Sequence, residues 1–256
     1  MNNIKNDQKL FAWFSLTILD HWVCKKPQQL PLQNLLQLLL QTLQFYSLKG
    51  GSKESLNKIS VLICAVSRWT FQGKTICSEV ASLLSNEQTN SMAIHLFSIM
   101  AEENRIVDKK YRIPSERSIA IKQAFESESI EIVKLLIQQI TMNKVEALNA
   151  LIKYVGWIPT EWLVNVNFFN VIQTAITLPQ MVKPSLECLL EYLQSNETIP
   201  SNQEFHSSLI NITLSPQASI VLKEPQQFSL NVLIPSSRLI SATCSLGSLT
   251  STIPAA

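Results

Sequence analysis

Glycine is scarce in this chain, with five residues in 256. Sheet folds built on tight hairpins need more turn residues than that, so a hairpin-rich β protein is excluded. With glycines so scattered, neither a GxxxxGK[ST] phosphate loop nor a GxGxxG turn is present, and no GxSxG elbow occurs. Cysteine is equally uninformative as chemistry. Cys24, Cys64, Cys77, Cys188 and Cys244 form no CxxC pair and their number is odd. Three of them lie in apolar helical runs, where Cys behaves as a small hydrophobe. A reducing compartment, cytosol or nucleus, is expected, and no metal or other cofactor. The three histidines, His21, His95 and His206, stand far apart.

Charge is sparse too. Charged residues make up 16% of the chain and apolar ones 46%, with a net charge of +2. That balance gives no electrostatic case for direct nucleic-acid binding, which needs a clustered basic face. The one tight basic cluster, Lys109, Lys110 and Arg112, sits beside Asp108 and is read as a solvated loop. No signal peptide is visible, because residues 1–9 are polar and the apolar run after them is broken by Asp20 and His21. The run Leu35–Leu48 is interrupted by Gln37, Gln41 and Gln44 and is too short to span a bilayer, so no membrane partner is expected. Carboxylates gather at Glu126, Glu128 and Glu131. They are read as flanking a helix start, where negative charge is favourable, rather than as an acid–base pair. No catalytic residue is assigned, and no enzyme is expected.

What the chain does have is helical periodicity punctuated by tryptophan. Trp22, Trp69 and Trp157 each close an apolar run, at intervals of 47 and 88 residues. A period near 45 residues is the spacing of stacked helical hairpins. The apolar pattern predicts helices over about 8–23, 32–47, 53–70, 75–84, 85–103, 114–125, 130–141, 144–157, 161–178 (in one or two pieces) and 180–194. Ser85 and Gln88 have capping-box spacing, residues 104–113 read as a loop, and Glu126–Ser129 reads as a turn. Trp22, Trp69 and Trp157 are expected to plug seams between hairpins, while Trp13 and Trp162 have no periodic place and suit the surface. The expectation is an all-α protein, a HEAT-type α-solenoid of antiparallel helical hairpins over residues 1–195. Residues 196–256 differ in kind. They hold five of the eleven prolines, are rich in Ser and Thr, and are read as an irregular tail, poorly ordered or carrying a short β-hairpin across Glu224-Pro225.

Four segments carry a family resemblance. "LNKISVLICAVSRW" (56–69) resembles a second-repeat B helix of the importin-β superfamily, ending in its Trp. "KYVGWIPTEWL" (153–163) is similar to the exportin helix that ends in Trp-Ile-Pro, here Trp157, Ile158 and Pro159. "PSERSIAIKQAF" (114–125) sits where the family links a repeat to its next helix, and "FAWFSLTILDHWVCKKP" (11–27) resembles the first-repeat B helix. The chain thus resembles, over about residues 8–195, the N-terminal part of an exportin-like nuclear transport receptor. Family members are about four times longer and commonly acidic. This sequence lacks a C-terminal arch and opens within the first repeat, so a truncated or partial product is expected.

The resemblance implies a HEAT-repeat surface that binds a Ran-type small GTPase in its GTP form, protein cargo and nucleoporin Phe-Gly repeats, with shuttling between nucleus and cytoplasm. On the helix 56–69, Asn57, Ser60, Ser67 and Arg68 are the polar positions left for a partner. Asn57, Lys58 and Arg68 are the residues assigned to contacts with an acidic partner. The alternative is a generic HEAT-repeat interaction scaffold with no transport role.

Overall fold

A computed structural model describes residues 2–105, 113–156 and 158–195. Among these residues there is no β-strand; there are ten α-helices and three short 3-10 segments. The all-α class expected from the sequence is what the described residues adopt. The expectations that fall on Trp157, the Lys109–Lys110–Arg112 cluster, His206, Cys244 and the tail 196–256 lie outside the described residues.

The helices are α1 (Asn2–Lys25), α2 (Leu32–Leu48), α3 (Lys53–Thr70), α4 (Cys77–Ser82), α5 (Glu87–Arg105), α6 (Ser115–Thr141), α7 (Val145–Val155), α8 (Thr160–Asn165), α9 (Phe168–Ala175) and α10 (Val182–Ser195). The chain divides into two compact units, with the boundary after Glu128 and so within α6.

In the first unit α2 and α3 pack together across a four-residue link, which makes them an antiparallel hairpin. The link is built by its glycines. Gly50 takes φ +68°, and the Gly51 N–H donates to the Tyr46 carbonyl at 2.7 Å, the left-handed close of a Schellman motif. Ser52 then caps α3, its hydroxyl accepting from the Ser55 N–H at 3.2 Å. α1, α2 and α5 all pack on α3. Its Ile59, Leu62, Ile63 and Val66 are buried with Leu39 and Leu43 of α2 and Ile94, Phe97 and Met100 of α5.

The second unit is organised by α7 against α10, with α9 packing on both α8 and α10. Phe168, Phe169 and Tyr192 form an aromatic cluster with ring centroids 4.9 to 6.2 Å apart, Phe169 meeting both other rings edge-to-face. Leu148, Leu151, Tyr154, Leu163, Ile172 and Leu189 close the core around them. Asn143, at φ +63°, ends α6 as Gly50 ends α2: the Lys144 N–H donates to the Gln139 carbonyl at 3.2 Å. Asn167, at φ +60°, splits the expected helix 161–178 into α8 and α9.

Two local expectations are corrected. The turn at Glu126–Ser129 does not form, and α6 runs unbroken through it. That stretch contains no Gly or Pro, Ser127 returns its hydroxyl to the Ala124 carbonyl at 2.8 Å, and Ser129 is buried. The carboxylates Glu126, Glu128 and Glu131 therefore sit mid-helix, not at a helix start. The cap of α5 is Asn86 rather than Ser85, since the Asn86 side chain accepts from the Gln88 N–H at 2.9 Å.

Candidate interaction surface

Helix α3 carries the residues assigned to partner contacts, and its packing decides which of them reach solvent. Asn57, Ser60, Cys64 and Arg68 follow one another at intervals of three and four, so they share one face of the helix. That face points inward. Ser60, Cys64 and Arg68 are buried, and Asn57 is half-buried with its Oδ1 enclosed. Arg68 is only 3% exposed, and its Nη1 lies 3.5 Å from Glu103 Oε2 of α5. A guanidinium so enclosed faces Glu103 inside the fold and is not presented to an acidic partner. Ser60, named with it as an outward polar position, is likewise inside. The reading failed because α3 is covered on several sides, by α1, α2 and α5, rather than on one.

Lys58 stands apart from that face. It is half-buried and its Nζ contacts Asp20 Oδ2 at 3.0 Å, joining α3 to α1. Its side chain keeps a partial exposure that Arg68 lacks. Lys58, with half-buried Asn57 beside it, thus marks the partly accessible start of the helix, while Arg68 holds its end.

That end is secured by a residue the sequence did not single out. Arg117 of α6 reaches the C-terminus of α3, where helical carbonyls are left over. Its Nε donates to the Arg68 carbonyl at 3.1 Å, and its Nη2 donates to the Trp69 carbonyl at 2.7 Å and the Phe71 carbonyl at 3.1 Å. The planar fork suits this task, and a cation is favoured at the negative end of the helix. The only sequence signal was the "PSERS" run itself, with nothing to pair it to a helix nearly fifty residues earlier.

Glu128, also of α6, plays a similar role one loop further on. It accepts from the Thr75 N–H at 3.0 Å and from the Thr75 hydroxyl, fixing the segment before α4. Cys77, beside it, is buried, and burial pushes its thiol well above the ordinary range. Cys188 is shifted the same way for the same reason. Neither thiol is set up as a nucleophile. His95 is partly buried, and loss of solvation, with Lys53 nearby, holds its imidazole below its ordinary value. Among the described residues no group of His, Cys, Asp and Glu is placed to hold a metal ion. None of the described helices is long and apolar enough to cross a membrane.

The tryptophans divide. Trp69 is half-buried with its indole nitrogen enclosed, as a seam residue would be. Trp22 is 40% exposed and does not plug a seam; the fully buried residue at that end of α1 is its neighbour Val23. Lys26 Nζ lies 5.3 Å from the centre of the Trp22 ring, a cation–π contact at the surface. Trp13 and Trp162 are exposed, as their lack of periodic place suggested.

In the second unit a cleft of about 270 Å3 opens between the end of α6 and α9. Its floor includes Ile140, Val171 and Ala175, and its rim carries Asn143, Asn167 and Asn170. No charged residue lines it.

Comparison with known proteins gives one result on this frame. Residues 52–189, from the cap of α3 into α10, match the family of exportin 1-like proteins. No curated protein matches the chain.

Proposed function

The chain belongs to the exportin 1-like protein family, a family of HEAT-type helical repeats, and from that premise we propose that it binds a Ran-type small GTPase in its GTP form. Its setting is nucleocytoplasmic transport and its partners are proteins. The observation that carries the proposal is the extent of the match, which covers more than half of the chain and includes the helix α3 on which partner contacts were assigned.

The half-exposed start of α3 supports a restricted version of the assigned contact set. Lys58, with half-buried Asn57 next to it, is accessible enough to meet an acidic partner, and Arg68 acts by keeping α3 seated on α5. Lys58 exchanges its bond with Asp20 for one with the partner at small cost, because a partly exposed ion pair contributes little. In this reading the protein works by binding, not catalysis. It also takes protein cargo and nucleoporin Phe-Gly repeats, and it shuttles between nucleus and cytoplasm.

The experiment is recovery of the purified chain on beads carrying the GTPase locked in its GTP or GDP form, beside beads carrying a Phe-Gly repeat peptide. Recovery on the GTP form and on Phe-Gly repeats, and little on the GDP form, is expected. Equal recovery on both nucleotide forms, or none, overturns the proposal. Loss of Phe-Gly binding with no nucleotide preference points to the generic scaffold.

A further inference from the structure

Helix α1 turns its largest described side chains outward. Phe14, Ile18 and Trp22 recur every four residues and so lie along one face. They are 60%, 52% and 40% exposed, with Trp13 at 45% beside them. The inner face is already occupied. Leu16, Leu19 and Asp20 are half-buried, Val23 is fully buried, and Asp20 is held by Lys58. The helix therefore has two apolar faces, one packed on α3 and one largely exposed, where Lys26 lies over the Trp22 ring. Four side chains each showing about half their surface amount to roughly 400 Å2 of apolar area, the size at which a surface patch is commonly functional.

The charge around this stripe is one-sided. His21, Lys25 and Lys26 are exposed at its C-terminal end. Between Trp13 and Lys26 the only carboxylate is Asp20, and Lys58 engages it. The stripe thus presents an apolar body with a positive end and no free carboxylate of its own.

We propose that this face docks an amphipathic α-helix of a protein partner, with the partner's apolar ridge along Phe14, Ile18 and Trp22 and its carboxylates beside Lys25 and Lys26. A helix is the matching shape, because ridges of side chains at four-residue spacing seat in the grooves of another helix. The charge selects the partner's sign and orientation. A second copy of this stretch would bring the same cations without carboxylates to meet them. The inference concerns α1 with Asp20 held by Lys58, the state of the chain free of GTPase, and its test is made without the GTPase.

The test uses the full chain and two labelled helical peptides of about 18 residues, long enough to span the stripe. Both carry Leu at i, i+3, i+4 and i+7; one ends in glutamates where the other ends in lysines. Fluorescence anisotropy is expected to show binding of the Glu-ended peptide, weakened roughly tenfold by Ile18→Ser. Ile18 is exposed, so the variant keeps its fold, which circular dichroism checks. The double variant Lys25→Glu/Lys26→Glu is expected to exchange preference and bind the Lys-ended peptide better. The proposal is overturned if neither peptide binds, if both bind equally, or if Ile18→Ser binds like the parent. It is also overturned if sedimentation shows a dimer that Ile18→Ser abolishes, since a second copy then covers the stripe.

Discussion

Replacing Arg117 with Ala should destabilise the first unit more than any ordinary surface substitution does. The guanidinium donates to three carbonyls at the end of α3, at 2.7 to 3.1 Å. A charged donor contributes about 1.5 to 3 kcal/mol per hydrogen bond in favourable cases. The three bonds share one side chain and are not additive, and these half-buried carbonyls regain some water when the arginine is removed. The net loss expected is about 2 to 3 kcal/mol. With a urea slope of roughly 2 kcal/mol/M, the unfolding midpoint should fall by about 1 to 1.5 M at unchanged slope. Far-UV circular dichroism reads this directly. Arg117→Lys supplies a charge without the planar fork and should recover about half of the loss. A loss under about 0.5 kcal/mol, the range of neutral surface changes, would refute the clamp. Full rescue by Lys would show that charge alone, and not geometry, holds the end of α3.

Other outcomes follow from the same geometry. Arg68→Ala should cost about 3 to 5 kcal/mol, because it removes the cation facing the buried Glu103 carboxylate, and Arg68→Met/Glu103→Leu should recover much of that in the same urea assay. His95 has a lowered pKa, so below its ordinary value of 6.5 the unfolded chain takes up a proton that the folded chain resists. Stability should therefore fall as pH drops from about 7 towards and through the folded-state value, and His95→Gln should flatten that slope of the urea midpoint. Cys77 and Cys188 should resist a thiol reagent at pH 8 in the folded state while half-exposed Cys24 reacts before them, an order that peptide mass mapping reads. Asn143→Gly should match or slightly exceed the parent in thermal stability, whereas Asn143→Ala should lose about 1 kcal/mol at a φ of +63°.

Helices were legible where two signals agreed. Over 53–70 the apolar period and the closing Trp69 point the same way, and α3 has those bounds. Over 32–47 the leucine-rich run, interrupted by Gln37, Gln41 and Gln44 at helical spacing, does the same, and α2 spans Leu32–Leu48. Reading failed where a single weak signal stood alone. The polar run Glu126–Ser129 looked like a turn, but it contains no Gly or Pro, and Glu128 is drawn back to Thr75 from inside a continuous helix. Trp22 looked like core because it closes a run, yet its neighbour Val23 takes the buried position.

The contact surface was less legible than the fold. Polar residues on α3 were read as outward because period alone assigns one apolar face to a helix. A helix covered on several sides buries polar groups too, and pays for Arg68 with Glu103 from α5. Arg117 was invisible for a related reason: its partners are backbone carbonyls, which carry no residue signature. The exposed stripe of α1 was hidden by its own hydrophobicity, since Phe14, Ile18 and Trp22 read as core in any periodic pattern.

The account turns on whether this helical-repeat chain distinguishes the two nucleotide states of a Ran-type GTPase through the start of α3. Titration calorimetry of the full chain with the GTP-bound and GDP-bound GTPase measures that difference in affinity. Saturable binding of the GTP form, at least about tenfold tighter than the GDP form and weakened by Lys58→Glu but not by the exposed-site change Met142→Gln in the second unit, is the predicted result. Indistinguishable affinities for the two forms, or GTP-form binding that Lys58→Glu leaves unchanged, would contradict it.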